Sequence, residues 1–484
     1  MRMESMLIQP TPNRNLCGLL IVALALSACG GGGDGSGYMP PSSPTMSSPS
    51  PMPPPAPTPV TGQQLSGTIT GLTGSGLVLQ VNPVMATSSV TIPANSTSFT
   101  FPTPIDDGEP YSIAVTTQPS SPLQNCVVNN ATGTVGAGAA NITVACSAVE
   151  LVYTQEVVGA AGSSSITQYE LNESTGALIL STIGAGGLVP NGIGATHDGK
   201  FVYASTTDAI DNFAVAAGSG AFAQVGSIGA GTKPAIPTVD PTNRFLYAAD
   251  QGANSILEFS IDSSTGNLTA MGSFTTPATP YAIAINPAGT FAYATTSSSI
   301  LVLSIDATSG ALAQVGSVSI TGNTGSVFPV IDPNDMFLYA SISNANSASA
   351  YGVNATTGNL TSISSVATGT GPSVAVINPT GTFLYVANIA SNDISEFAID
   401  AVTGALVAGT TTPGPPNIGI QGIQAIAIDP SGNFLVATST NDNSVYTIDQ
   451  ATGALTLASS TASSTQSGGE NNISPVGVVV TPAP

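Results

Sequence analysis

Short runs in which apolar and polar residues alternate fill the chain from about Thr61 to its C-terminus. A repeat of two places the apolar side chains on one face of a β-strand, and Gly, Pro and Asn stand between the runs at turn positions. The pattern therefore predicts an all-β protein. Between residues 61 and 148, strands this short over about ninety residues predict a small β-sandwich.

From Leu151 onward the pattern repeats, each unit having an apolar strand, a turn, a strand that begins Phe-Leu-Tyr or a variant, and two more strands. The second strand of the successive units begins at Leu151, Phe201, Phe245, Phe291, Phe337, Phe383 and Phe434. A later Thr-Gly or Ser-Gly turn places its glycine at Gly176, Gly220, Gly266, Gly310, Gly358, Gly404 and Gly453. The glycines are 44, 46, 44, 48, 46 and 49 residues apart, which suits a four-stranded propeller blade. Residues 149–484 are therefore predicted to form a seven-bladed β-propeller.

The first unit lacks a first strand, whereas the chain ends with an extra one, Ser474 to Pro482. We expect this C-terminal strand to complete blade one, because a closed ring leaves no open strand edge.

The residues of the repeat resemble those of a known family. Residues Phe383 to Asn388 (Phe-Leu-Tyr-Val-Ala-Asn) and Ile399 to Leu406 resemble the YVTN-type units of lactonase-like propellers, which include bacterial 6-phosphogluconolactonases and a fungal carboxymuconate cyclase. The resemblance covers all seven units and implies the fold. It implies lactone hydrolysis only weakly, because the shared residues belong to strands and turns. The segment 61–148 is similar to Ig-like modules of secreted bacterial proteins.

The N-terminus is typical of an export signal. Arg2 and Arg14 precede an apolar run from Leu16 to Leu26, which is too short to span a bilayer. The run ends in Leu-Ser-Ala-Cys at Cys29, which resembles the bacterial lipobox. The resemblance implies that residues 1–28 are removed and that Cys29 is acylated; the following Gly30 favours the outer membrane. The alternative is an ordinary secretory signal. Residues 29–60 are rich in Gly, Pro and Ser and predict an extended linker.

Export would also decide the state of the remaining cysteines. Cys17 would leave with the signal and Cys29 would carry lipid, so Cys126 and Cys146 would form a disulfide in an oxidising compartment. Two buried free thiols are the alternative.

Charge excludes one class of partner. Only 5 Lys and Arg stand against 26 Asp and Glu, for a net charge of -21, so nucleic acid would be repelled. The remaining expected partners are the membrane, through the lipid, and a protein, glycan or small molecule on the loop face of a monomeric propeller.

Candidate chemistry in the propeller is sparse. His197, Lys200 and Arg244 fall in turns between first and second strands, where a plain turn role is expected. Lys233 stands at the start of a first strand, near the mouth of the ring, although a solvated loop lysine is the alternative. Asp250, Asp393 and Asp442, with Asp208, follow second strands and are expected on the same face. They are the carboxylates that could work with Lys233.

These carboxylates and the neighbouring asparagines could instead hold Ca²⁺, or be ordinary loop residues. Asp262, Asp306, Asp400 and Asp449 recur at one position of the repeat, which indicates turn capping. No Cys/His metal spacing, phosphate loop or Gly-x-Ser-x-Gly motif is present in the sequence, so no other cofactor is expected. The sequence favours a lipid-anchored binding module without catalysis; a lactonase-type hydrolase is the alternative.

Overall fold

The computed structural model describes residues 62–83, 87–120, 122–136, 141–158, 163–173, 175–188, 191–320, 325–413, 422–439, 442–462 and 477–484. The predicted signal, Cys29 and the linker lie outside these residues. The described residues form β-strands joined by turns, with one short 3₁₀ helix, Ser343–Ala345. No helix in these ranges is both long enough and apolar enough to span a membrane.

Two four-stranded sheets precede the repeats. Their strands are β1 (Ser66–Thr70), β2 (Leu77–Pro83), β3 (Ser88–Ile92), β4 (Ser98–Thr100), β5 (Pro110–Thr117), β6 (Gln124–Asn129), β7 (Thr132–Thr134) and β8 (Ile142–Ala148). One sheet has the order β4-β1-β8-β6 and the other β3-β2-β5-β7. Their apolar faces share one core, which includes Leu77, Leu79, Phe101 and Val144. This is a β-sandwich arrangement; its Ig-like character stays a prediction.

A disulfide joins the last two strands of the first sheet. Cys126 on β6 lies directly opposite Cys146 on β8, with their Cα atoms 4.0 Å apart. Facing positions of an antiparallel pair bring two cysteines close enough to bond without displacing the backbone.

The repeats form seven four-stranded sheets, as predicted. Blade two is β12 (Gly192–Ala195), β13 (Phe201–Ser205), β14 (Ala209–Val215) and β15 (Phe222–Gly229); blade three is β16 (Thr238–Val239), β17 (Phe245–Asp250), β18 (Ser255–Ile261) and β19 (Leu268–Thr275); blade four is β20 (Pro280–Ile285), β21 (Phe291–Thr296), β22 (Ser299–Ile305) and β23 (Leu312–Ser319).

The later blades follow the same order. Blade five is β24 (Val327–Ile331), β25 (Phe337–Ile342), β26 (Ser347–Val353) and β27 (Leu360–Ala367); blade six is β28 (Pro372–Ile377), β29 (Phe383–Asn388), β30 (Asp393–Ile399) and β31 (Leu406–Pro413); blade seven is β32 (Ala425–Ile428), β33 (Phe434–Thr438), β34 (Asp442–Ile448) and β35 (Leu455–Ala462).

Blade one joins the two ends of the ring. It contains β9 (Glu150–Val158), β10 (Ser163–Asn172), β11 (Ala177–Leu188) and the C-terminal strand β36 (Gly477–Pro482). Its sheet order is β11-β10-β9-β36, and β36 pairs antiparallel with β9 from Gly477 opposite Gln155 to Pro482 opposite Glu150. The predicted closure is confirmed. The first strands of all seven blades contact their neighbours in an unbroken circle around the central channel.

The recurring aspartates cap their turns, as predicted. Asp400 Oδ1 accepts hydrogen bonds from the backbone N–H groups of Val402 at 3.0 Å and Thr403 at 2.8 Å. Asp262, Asp306 and Asp449 do the same in their blades. Hydrogen bonds from the turn hold the pKa of each of the four carboxyls below its usual value; the largest contribution comes from the Ser264 side chain at Asp262 and from backbone N–H groups at the other three.

Candidate functional site

A pocket of about 290 Å³ lies at the mouth of the central channel, where the first strands begin. Its polar lining comes from the starts of first strands and from nearby loops: Asn191, Lys233, Gln251, Tyr281, Ser326, Ser343, Ser373 and Gln424. Apolar side chains complete it, among them Ile236, Phe328, Val374 and Ile389. A concave, mostly apolar site with a few convergent polar groups is the usual form of a small-molecule site.

Lys233 supplies the positive charge of this pocket. Its backbone N–H donates to the Thr207 carbonyl at 2.7 Å, and its own carbonyl accepts the Gln251 N–H at 3.3 Å. The side chain is exposed, and the described residues offer it no ion-pair partner. The charge is therefore available to a ligand.

The backbone of Lys233 is strained. Its φ is 66°, in the left-handed region, and the other non-glycine residues with positive φ among those described are all Asn or Asp. Lysine has no short side chain to favour this conformation, and a following proline, here Pro234, restricts the residue before it further. Such strain persists where the surrounding structure holds it and is frequent at functional sites.

Asp250 lies beside Lys233 but faces the loop rather than the pocket. It is buried, and its carboxylate accepts the N–H groups of Thr232, Gly252 and Ala253 at 3.0 to 3.2 Å. Asp250 does not line the pocket. Its hydrogen bonds from the Thr232 N–H hold the loop that carries Lys233.

The other candidate carboxylates also remain in their own loops. Asp393 Oδ1 accepts hydrogen bonds from Asn388 Nδ2 at 2.7 Å and Ser391 Oγ at 3.0 Å. Asp442 is partly buried, which raises its pKa, and Asp208 is exposed. None of these three lines the described pocket, so the structure does not bring the predicted carboxylates into the pocket with Lys233.

His197, Lys200 and Arg244 lie in turns between first and second strands, as predicted. The His197 N–H donates to Asn243 Oδ1 at 2.8 Å, Lys200 pairs with Asp198 at 2.9 Å, and Arg244 Nη2 donates to the Ala307 carbonyl at 3.0 Å. They belong to the opposite face of the ring from the pocket.

No cluster of three or more His, Cys, Asp or Glu that could hold a metal ion occurs in the part of the chain that the structure describes. The described residues therefore provide no cluster of ligands that would support Ca²⁺ binding.

Sequence reasoning missed most of the pocket's polar residues. Tyr281, Ser373 and Gln424 stand at or just before the starts of first strands, two residues later in the repeat than Lys233. The signal was available, since these positions carry polar residues in several units. It was weak because Ser and Gln at a strand start are also ordinary surface residues.

Part of the repeat region matches a known protein family. A family model described as "Lactonase, 7-bladed beta-propeller" matches residues 229–329 and 330–418. This part of the ring is similar to the lactonase-type propellers. No curated protein matches the sequence.

Solved structures match the lactonase-type propeller over its length. A putative 6-phosphogluconolactonase from Bacteroides fragilis is 20% identical, with 69% of this chain and 98% of that chain covered and a TM-score of 0.57. The periplasmic gluconolactonase of Pseudomonas aeruginosa is 14% identical, with 70% and 100% covered and a TM-score of 0.59. At these identities the likeness shows the propeller fold alone.

Proposed function

We propose that the lactonase-type propeller binds a small lactone in the Lys233 pocket and opens its ring. One observation carries the proposal: a single ammonium group lies in a pocket whose described lining contains no carboxylate. Such a charge attracts the carbonyl oxygen of a lactone. A neutral lactone suits the protein better than a phosphorylated one, because the net charge of -21 opposes the approach of an anion.

The proposed chemistry is hydrolysis by electrostatic stabilisation. Water adds to the carbonyl carbon, and the negative charge that develops on the carbonyl oxygen is stabilised by the Lys233 ammonium. The ring C–O bond then breaks, the leaving alkoxide gains a proton, and the proton lost by the attacking water goes to solvent. A single well-placed donor of this kind is worth about 10² to 10³ in rate. Gln251, Ser326 and Gln424 would hold ring hydroxyls by hydrogen bonds.

The test is a rate measurement on a panel of neutral and phosphorylated sugar lactones. Lys233→Asn removes the charge and places at this φ a residue that tolerates it, so the fold is preserved. Lys200→Asn removes a lysine from the opposite face and is the matched control. We expect turnover that falls by about 10² or more in Lys233→Asn and is unchanged in Lys200→Asn. Equal rates in the two variants would contradict the proposal.

Binding without turnover is the second candidate. It is favoured by the same lining, which offers no His, Asp or Glu among the described residues to act as a general base, a role worth about 10² to 10⁴ in rate. Calorimetry with the same lactones separates the two candidates. Binding that depends on Lys233, with no rate above the uncatalysed one, assigns a binding module.

We also propose that the chain is anchored to the outer membrane through lipid on Cys29. The support is the sequence Leu26-Ser27-Ala28-Cys29 and the Gly30 that follows it. Labelled palmitate fed to the expressing cells should be incorporated into the chain. Incorporation should be lost in Cys29→Ala and kept in Cys17→Ala; label retained in Cys29→Ala would refute the anchor.

A further inference from the structure

Below the Lys233 pocket the central channel is aliphatic. A cavity of about 370 Å³ lies there, and the described residues that line it are all Ala, Val, Ile or Gly. Val330, Val376, Ile428, Val478 and Val480 belong to the first strands of four blades and remain partly exposed. The inner strands thus present apolar side chains to the channel instead of burying them fully.

The apolar cavity and the polar pocket share walls. Ile236 and Val374 line both, so a molecule seated at Lys233 can extend past these two side chains into the channel. Water in a cavity of this kind finds few hydrogen-bond partners, and apolar cavities take up apolar molecules readily. The combined site is polar at the mouth and apolar within.

We infer that the ligand is amphipathic: a lactone head at Lys233 carries an aliphatic chain that occupies the channel. The inference rests on the proposed function and names its substrate class. The charge complements the carbonyl oxygen of the head, and the Val and Ile walls complement the chain. The six residues of β36 span about 20 Å at about 3.3 Å per residue. The channel is therefore long enough to hold the aliphatic chain of such a ligand.

The experiment measures the affinity of the full chain, held in amphipol, for γ-lactones with no tail and with alkyl tails of two, four and six carbons. Each methylene buried in the channel should tighten binding about fourfold, the equivalent of about 0.8 kcal/mol. Binding to amphipol alone is subtracted. The ring-opened hydroxy acids form a second arm that compares lactone and carboxylate heads.

Two variants make the result specific. Val376→Thr places a hydroxyl on the channel wall at nearly constant volume and should weaken binding of the longest lactone about fivefold or more, leaving the tailless lactone unaffected. Val407→Thr changes an exposed valine of an outer strand and should change neither affinity.

The outcomes separate the two proposals. Affinity that is independent of tail length, with Lys233-dependent binding of the tailless lactone, overturns the amphipathic ligand and leaves the proposed function standing. Affinity that rises with tail length but is equal in Val376→Thr and Val407→Thr also overturns it. Failure of every lactone to bind overturns both.

Discussion

Tyr247 donates a 2.7 Å hydrogen bond from its hydroxyl to the carbonyl oxygen of Gly310, 63 residues along the chain. The tyrosine belongs to the second strand of blade three, and the glycine to the turn before the last strand of blade four. The ring of Phe245 packs against the same glycine. The bond recurs between successive blades, as Tyr203 to Gly266, Tyr293 to Gly358, Tyr339 to Gly404 and Tyr385 to Gly453.

This contact explains why two segments of the repeat recur in successive blades. The Phe-Leu-Tyr segment of one blade meets the Thr-Gly or Ser-Gly turn of the next. Burial raises the pKa of Tyr247, which keeps its hydroxyl protonated as a donor. Where blade one meets blade two, Gln168 Nε2 donates instead to the Gly220 carbonyl at 2.8 Å. At the seam of blades seven and one, Ser459 Oγ donates to the Gly176 carbonyl at 2.7 Å.

Tyr247→Phe should lower the free energy of unfolding by about 1 to 3 kcal/mol, because it leaves the buried Gly310 carbonyl without its donor. Chemical denaturation measures the change. Tyr281→Phe, at a half-exposed tyrosine of the pocket, is the control and should lie within about 0.5 kcal/mol of the wild type. Equal losses of stability in the two variants would show that the Tyr247 hydroxyl does not stabilise the contact between blades.

Gly310→Ala should destabilise the ring for two reasons. The φ of Gly310 is +71°, and an added Cβ would lie 2.5 Å from Phe245 Cδ1. Strain of this kind costs about 1 kcal/mol or more before the clash is counted. Gly229→Ala is matched to it, because a Cβ there meets nothing within 4 Å. A melting temperature lowered in Gly310→Ala and kept in Gly229→Ala is the expected result.

Removal of residues 477–484 should destabilise the whole propeller, since it takes away β36 and exposes the edge of β9. It also removes Val478 and Val480, which pack against a core shared by blades one and seven. Thermal unfolding should begin well below that of the full chain, and the shortened chain should aggregate. Identical unfolding curves would show that the ring does not depend on this closure.

The closure should also respond to pH through Glu150, which is buried on β9 opposite Pro482. Burial, then the negative charges of Asp429 and Glu173, raise its pKa from 4.5 to about 8. The folded protein therefore holds a proton that the unfolded chain releases, so the contribution of Glu150 to stability falls as pH rises from about 4.5 to 8 and is level above that range.

Glu150→Gln keeps the shape of the carboxyl group and removes its titration. The stability difference between pH 5 and pH 8 should shrink in this variant, as measured by denaturation at the two pH values. Glu109→Gln, in a loop of the sandwich, is the control and should leave the difference as it is in the wild type. An unchanged difference in Glu150→Gln would mean that this carboxyl does not titrate in the range.

The sequence by itself determined the propeller, the number of its blades and the way it closes. Strand alternation and the spacing of the Phe and Gly positions are local properties repeated seven times, and repetition averages out the ambiguity of any single strand. The first unit lacks a first strand before Leu151, and an extra strand begins at Ser474. Together these two features allowed only one way to close the ring. Turn roles for His197, Arg244 and Asp400 also followed from position in the repeat.

Only the tertiary structure decided what surrounds Lys233. Asp250 lies on the same face, yet its carboxylate accepts the backbone N–H groups of Thr232, Gly252 and Ala253. Tyr281, Ser326, Ser373 and Gln424 come from four different blades and meet because the ring brings the starts of the inner strands together. Convergence of this kind depends on distances between blades and side-chain directions, which no pattern along one strand encodes.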